Sequence, residues 1–132
     1  MRDIYFIDSS VWIDYFRHAD SAKGDLIDSL IRDDRVVLNG IVLTELLTGA
    51  RGSQEFDHLS AALGGLRLLE MPREFFETAG RHGRLLKSAG VTIPLSDLLI
   101  ATHCLEHRLV LIENDRHFAA IAEHLPLRLS AD

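Results

Sequence analysis

Several acidic residues lie where the chain is expected to pass from one secondary-structure element to the next. Asp8 follows residues 4–7, a continuous apolar run typical of a strand buried on both faces, and precedes a segment with helical spacing of apolar residues. Asp115 likewise follows the apolar run 109–112. Because open α/β sheets carry their chemistry at the carboxyl ends of their strands, these two carboxylates are candidates for one site.

Two further acids lie in segments with a helical pattern. Asp97 begins a predicted helix, and Glu45 lies in the second turn of a helix predicted over residues 41–50, among apolar neighbours. A carboxylate buried among apolar side chains is costly unless it is paired or binds a metal. Asp97 and Asp115 alone would be interpreted as ordinary helix-capping residues, so only the set of four acids indicates a site.

Carboxylates that converge on one site repel one another and therefore require protons or a cation. Two unit charges about 4 Å apart repel by roughly 4 kcal/mol at an effective dielectric constant near 20. Several such pairs would rival the roughly 5–15 kcal/mol that keeps a whole domain folded. Ligation by oxygen alone favours Mg²⁺, for which Mn²⁺ can substitute. Magnesium held by carboxylates is typical of sites that hydrolyse phosphodiester bonds.

The segments around these acids alternate between strand and helix character. Apolar runs predict strands at residues 4–7, 35–39, 66–69, 109–112 and, as an edge strand, 127–129. Between them apolar residues recur at helical spacing, and Ser53 and Ser96 are predicted to cap two of the helices. This alternation predicts the α/β class, with residues 1–132 forming one domain of three α/β/α layers around a central, mostly parallel sheet.

The composition is that of a soluble globular protein and argues against several other classes of protein. Of the 132 residues, 47% are hydrophobic and 26% are charged, which is ordinary for a soluble globular protein. The single cysteine, Cys104, fits a reducing cytoplasm, and no apolar stretch approaches the roughly 18 residues of a membrane span. A net charge of −6 argues against nonspecific coating of nucleic acid, but it allows an enzyme whose acidic site holds metal and acts on nucleic acid.

Four short segments of the chain resemble the signature segments of a known family. They are residues 8–11, 44–51, 94–101 and 114–118, which read DSSV, TELLTGAR, PLSDLLIA and NDRHF. In this order and at this spacing they resemble the PIN domain, and more narrowly its VapC-type toxins from bacterial and archaeal toxin–antitoxin pairs. Each segment is a weak signal by itself, whereas the four together are specific and cover essentially the whole chain.

The resemblance implies site residues, a cofactor and partners. The implied metal-binding residues are Asp8, Glu45, Asp97 and Asp115. Ser10 would supply the hydroxyl that orients them. The implied activity is Mg²⁺-dependent endoribonucleolysis, with an RNA substrate, a cognate antitoxin as inhibitor and a second copy of the chain in a homodimer. The alternative is a PIN-like domain that has lost efficient metal chemistry and serves as a binding or scaffold module.

One position departs from the pattern of the family. The family usually carries Ser or Thr two residues before the last acid, where this chain has Glu113. We therefore expect altered hydrogen bonding around Asp115. Because Glu113 brings a further negative charge to the same strand end, it is also a candidate fifth carboxylate of the site.

Residues 103–107 carry a competing signal. They match the H-x-x-E-H pattern of zinc metalloproteases. Helical geometry turns His103 about 120° away from Asp97, so a solvated helix face is the favoured interpretation. Cys104 is expected to be a small buried hydrophobe rather than a nucleophile.

Two further patterns leave alternatives open. The basic residues Arg81, Arg84 and Lys87 recur every three residues, which predicts either an ordinary solvated stripe or a rim that contacts RNA phosphates. The aromatic residues of the first helix belong either to the core or to an interface with a partner. They are Trp12, Tyr15 and Phe16.

Overall fold

The computed structural model describes residues 2–18 and 20–131, in which strands and helices alternate along the chain. The strands are β1 (Tyr5–Ile7), β2 (Val36–Asn39), β3 (Arg67–Leu69), β4 (Val110–Ile112) and β5 (Arg128–Leu129). The helices are α1 (Ser9–Arg17), α2 (Ala22–Arg32), α3 (Gly40–Thr48), α4 (Ser53–Leu63), α5 (Arg73–Ser88), α6 (Leu95–His107) and α7 (Arg116–Ala122). The predicted elements are thus present, and their ends differ from the predicted bounds by at most two residues.

The strands form a parallel sheet in the order β3-β2-β1-β4-β5. β1 pairs with β2 on one side and with β4 on the other, and Phe6 is in register with both Val37 and Leu111. Val36, Val37 and Leu38 are consecutive in β2 and all are buried. Since successive side chains of a strand point to opposite faces, both faces of the sheet are covered. The prediction of an α/β/α fold around a central parallel sheet is therefore confirmed.

The strand order reverses at β1, which is the topological switch point of the sheet. From β1 the sheet grows through β2 to β3 on one side, and β4 and β5 are added on the other, so β5 is an edge strand as predicted. In open parallel sheets the carboxyl ends of the strands at such a switch point border a crevice in which ligands bind. Ile7 lies opposite Ile112 at these ends of β1 and β4, and the chain continues from them into Asp8 and Glu113.

Large apolar side chains fill the space between the layers. The largest fully buried ones include Phe6, Trp12, Phe75 and Phe118. Complete burial of such a side chain contributes roughly 1.5–3 kcal/mol, so the packed layers hold the strand ends firmly in place. Trp12 therefore belongs to the core, where its ring stacks on that of Phe16 at 5.8 Å between centroids. Within the described part of the chain, no helix is both long and apolar enough to cross a membrane.

Two serines that were predicted to cap helices lie inside those helices instead. α4 begins at Ser53, after Gly52, and α6 begins one residue before Ser96, after Pro94; neither preceding residue makes a side-chain cap. The fixed φ angle of Pro94 suits the entry to a helix without a capping hydroxyl. As a result Asp97 lies in the first turn of α6, where a carboxylate complements the helix dipole.

Candidate metal centre

Four elements bring acidic side chains to one cleft at the carboxyl edge of the sheet. Asp8 connects β1 to α1, and Asp115 is the N-cap of α7. Asp97 comes from the first turn of α6, and Glu45 comes from α3. The residues that line the cleft are Asp8, Ser9, Ser10, Glu45, Asp97, Asn114, Asp115 and Arg116. The structure therefore brings together the four acids and the serine that the sequence singled out.

Asp8 is the most buried acid of the cleft, with 5% of its surface exposed. The hydroxyl of Ser10 donates a hydrogen bond of 3.0 Å to Asp8 Oδ2, which is the orienting contact expected of this serine. Burial raises the pKa of Asp8, and the hydrogen bond from Ser10 opposes that rise. Because the burial effect is the larger, a nearby cation would stabilise the ionised form of Asp8.

Asp97 and Asp115 meet at the imidazole of His117. His117 Nδ1 lies 2.9 Å from Asp97 Oδ2 and 2.9 Å from Asp115 Oδ1. Asp115 Oδ1 also accepts a hydrogen bond of 2.9 Å from the backbone N–H of His117, which caps α7. Burial, followed by the negative charge of Asp115, raises the pKa of Asp97 to about 6, although the contact with His117 works in the opposite direction. The sequence reasoning missed His117, whose one available signal was its place two residues after Asp115 in a first helical turn.

Glu45 lies at the mouth of the cleft, where its side chain is largely exposed. The expectation that it is buried among apolar residues is wrong, because Val42 and Leu46 take the inner face of α3. The hydroxyl of Ser9 donates a hydrogen bond of 3.2 Å to Glu45 Oε1. Partial burial and, to a smaller extent, the negative charge of Asp8 raise the pKa of Glu45. Glu45 therefore interacts electrostatically with Asp8 across the cleft.

Glu113 takes part in the turn that leads into α7. Its Oε2 accepts a hydrogen bond of 2.7 Å from the backbone N–H of Asp115. Partial burial and the charges of Asp8 and Asp115 raise the pKa of Glu113. A carboxylate at this position therefore accepts the backbone hydrogen bond of Asp115 and adds negative charge beside the cleft.

The donor set fits a divalent cation. Ligand atoms of Asp97, Asp115 and His117 all lie within 4.8 Å of one another, and Asp8 and Glu45 line the same cleft. The negative charge of a neighbouring acid contributes to the raised pKa values of three of these carboxyl groups, those of Asp8, Glu45 and Asp97. A divalent ion would offset this repulsion, and carboxylate and imidazole are both ligands that divalent ions accept in proteins.

Comparison with known families agrees with this arrangement. A family model described as the PIN domain matches residues 5–124 of the chain. The chain belongs to the PIN domain family. The matched region runs from β1 through α7 and so includes each of the cleft's acidic residues.

Individual proteins similar to this PIN domain match it over nearly their whole length. Ribonuclease VapC1 of Haemophilus influenzae strain R2866 is 29% identical over 125 residues, which are 91% of this chain and 93% of that protein. The structure of VapBC2 from Rickettsia felis bound to a promoter DNA fragment matches with a TM-score of 0.76 at 20% identity, covering 96% of this chain and 97% of that one. The structure of VapBC-5 from Mycobacterium tuberculosis, a member of the VapBC family of toxin–antitoxin systems, matches with a TM-score of 0.69 at 22% identity. This match covers 97% of this chain and 98% of that one. The two structural matches show a common fold.

His103 of this PIN domain is a structural residue, and its predicted solvated position is wrong. The side chain is fully buried, and its ring centroid lies 4.1 Å from that of Phe75. Its Nδ1 lies 2.9 Å from Asn39 Nδ2, and its Nε2 lies 3.0 Å from the carbonyl oxygen of Glu70. Because both ring nitrogens have protein partners and burial lowers the pKa of His103, a zinc site at residues 103–107 is not supported.

Cys104 has the environment that its expected role requires. It is buried, with 2% of its surface exposed, and it belongs to the apolar core of the PIN domain. Burial raises the pKa of its thiol far above the usual range, followed by a smaller effect from the charge of Asp8. A thiol in this state is not a nucleophile, which confirms the prediction of a small buried hydrophobe.

Proposed function

We propose that this PIN domain is a divalent-metal-dependent endoribonuclease, the toxin of a toxin–antitoxin pair, and that its cofactor is Mg²⁺ or, in its place, Mn²⁺. The proposal rests chiefly on the convergence of carboxylates from four separate elements at the switch point of the sheet; they are Asp8, Glu45, Asp97 and Asp115. The similarity to a protein named Ribonuclease VapC1 supports RNA as the substrate.

In this proposal Asp8 and Asp97 are the principal ligands, because both are buried and each is fixed at the junction of a strand or loop with a helix. The hydrogen bond from Ser10 to Asp8 Oδ2 orients this carboxylate, which lines the cleft. A divalent ion held by these carboxylates would polarise a phosphoryl oxygen and lower the pKa of its water ligand.

The outer residues of the cleft have complementary roles in the proposal. Glu45 is the largely exposed carboxylate of the four, and its raised pKa favours uptake of the proton that the attacking water releases. Arg116 is the basic residue that lines the cleft, and its side chain is exposed. We assign it to a phosphate of the incoming RNA, because an arginine forms two parallel hydrogen bonds with such a group.

The test is cleavage of random-sequence single-stranded RNA and total cellular RNA in the presence of Mg²⁺. Asp8→Asn and Asp97→Asn keep the size of each side chain and remove its charge, so we expect each variant to fold and to lose cleavage. Asp57→Asn, on an exposed position of α4, is the matched control and should cleave at the wild-type rate. Cleavage by Asp8→Asn at the wild-type rate under excess Mg²⁺ would refute the proposal. Metal binding by a wild type that cleaves no RNA would favour the alternative of a binding or scaffold module.

An antitoxin is the proposed inhibitor, and a groove beside the cleft suits it. The groove has a volume of about 360 Å³ and runs between α1, α3 and α4, with Ile13, Phe16, Leu46 and Leu59 as its apolar lining. Glu45 lines both the groove and the acidic cleft, so a peptide lying in the groove reaches the acids. We assign the groove to an apolar segment of the antitoxin and the cleft to a basic side chain that follows it.

The remaining parts of the proposal concern the whole chain. We propose that residues 1–132 act as one PIN domain in the cytoplasm, as a homodimer. The family match over residues 5–124 supports the single domain, and the buried, unpaired Cys104 is consistent with a reducing compartment. The homodimer rests on the family resemblance, and light scattering of the purified protein would measure it directly: a monomer mass at micromolar concentration would contradict it.

A further inference from the structure

We infer that His117 is itself a metal ligand, which makes this a mixed nitrogen and oxygen site that binds Mn²⁺ in preference to Mg²⁺. The inference rests on the proposed metal-dependent function, and it adds a residue and an ion preference that the four-carboxylate set does not contain.

The distances around His117 match those between neighbouring ligands of one ion. With metal–ligand distances of about 2.1 Å, adjacent ligand atoms of an octahedral ion lie about 3.0 Å apart. His117 Nδ1 lies 2.9 Å from Asp97 Oδ2 and 2.9 Å from Asp115 Oδ1. When His117 Nδ1 carries no proton, its lone pair is free for an ion, and both carboxylate oxygens lie at the spacing expected of adjacent ligands.

The three ligands are also held by the fold before an ion binds. Asp115 and His117 belong to one turn, which the hydrogen bond from the backbone N–H of His117 to Asp115 Oδ1 closes. Asp97 comes from the first turn of α6, a helix whose inner residues are deeply buried. Side chains fixed in this way lose little conformational freedom on binding, so each adds to affinity for the ion.

The nitrogen ligand affects the relative affinity of the site for Mn²⁺ and Mg²⁺. Mg²⁺ is a hard cation that prefers oxygen ligands and keeps several waters. First-row transition ions accept imidazole nitrogen together with carboxylate oxygen, and Mn²⁺ is the member of that series closest to Mg²⁺ in its chemistry. A site of Asp97, Asp115 and His117 should therefore favour Mn²⁺ over Mg²⁺ more strongly than a site of carboxylates alone.

The experiment uses the full chain without a polyhistidine tag, loaded with Mn²⁺, and compares wild type with His117→Asn and His124→Asn. An Asn amide nitrogen takes nearly the place of Nδ1, so His117→Asn keeps the hydrogen bonds to the carboxylates while removing the imidazole. His124 is exposed just after α7 and gives the matched control. Pulsed electron paramagnetic resonance of the bound Mn²⁺ detects a directly coordinated ¹⁴N nucleus, and calorimetry measures the affinity for Mn²⁺ and for Mg²⁺.

We expect ¹⁴N modulation in wild type and in His124→Asn, and its loss in His117→Asn. Affinity for Mn²⁺ should fall about tenfold or more in His117→Asn, whereas affinity for Mg²⁺ should change much less. Bound Mn²⁺ without ¹⁴N modulation in wild type, or with modulation that persists in His117→Asn, would overturn the inference and leave the proposed function intact. A wild type that binds neither ion would overturn both.

Discussion

Replacing Asp97 by Asn should stabilise the metal-free protein at neutral pH, even though it removes a proposed metal ligand. Burial and the charges of neighbouring acids raise the pKa of Asp97 from 3.8 to about 6, and only 12% of its side chain is exposed. Above that pH the folded protein carries a charge that the unfolded chain accommodates more easily. A rise of about two pKa units corresponds to roughly 3 kcal/mol, which is the most that the neutral Asn side chain can add to the free energy of unfolding.

The sign of the pKa shift determines how this difference depends on pH. The folded state binds a proton at Asp97 more tightly than the unfolded state does, so wild type gains stability as the pH falls through about 6 toward about 4. The advantage of the Asn variant should therefore be largest above about pH 7 and disappear near pH 4. Burial lowers the pKa of His103, which has the opposite effect on stability in the same range, but both proteins share it and it cancels in the difference.

Urea unfolding, followed by the fluorescence of the single tryptophan, Trp12, measures the difference in stability between the Asn variant and wild type and how that difference depends on pH. In EDTA at about pH 7.5 the Asn variant should be the more stable protein, by up to about 3 kcal/mol. Saturating Mn²⁺ should reverse the order, because an ion at about 1,000 times its dissociation constant stabilises wild type by about 4.1 kcal/mol and the variant hardly at all. A variant that is less stable than wild type in EDTA at this pH, or a difference that does not change with pH, would refute the reasoning.

Three further outcomes are expected. Ser10→Ala removes the hydroxyl that donates to Asp8, so RNA cleavage should fall about 10–100-fold with an unchanged circular dichroism spectrum. His103→Leu leaves the buried amide of Asn39 and the carbonyl of Glu70 without their partner, so the free energy of unfolding in urea should fall by about 1–3 kcal/mol or more. Calorimetry should show that this variant still binds Mn²⁺. An antitoxin whose basic side chain enters the cleft competes with the ion, so its affinity in calorimetry should weaken as Mg²⁺ rises at fixed ionic strength; an affinity indifferent to Mg²⁺ would place the inhibitory contact elsewhere.

The strand ends and their acids could be predicted from the sequence, because the signals that define them are local. The apolar run before Asp8 and the one before Asp115 identify buried strands, and parallel strands must bring their carboxyl ends to the same edge. Glu45 and Asp97 then follow from the helices that begin at that edge. The exposure of Glu45 could not be predicted from its apolar neighbours in sequence, because α3 directs Val42 and Leu46 inward and Glu45 outward.

The contacts that the sequence did not predict depend on how two helices dock. The contact between His117 and Asp97 joins α7 to α6 across 20 residues of sequence, and no periodic pattern encodes it. His103 was placed correctly on the side of α6 away from Asp97, but that side packs against Phe75 and the end of β2 rather than facing solvent. The available signal was the run of residues 99–104, which has almost no polar face, and a helix that is apolar all round is buried.

The chemical form of the cleaved RNA ends tests the central claim most directly. If metal held by the carboxylates activates water, a single turnover in H₂¹⁸O with Mg²⁺ or Mn²⁺ should give linear terminal phosphates that carry one ¹⁸O atom, as measured by mass spectrometry. Neither EDTA-treated wild type nor Asp8→Asn should give any such product. Cyclic phosphate ends, which form when the ribose hydroxyl attacks in place of water, or cleavage that persists in EDTA, would contradict the account.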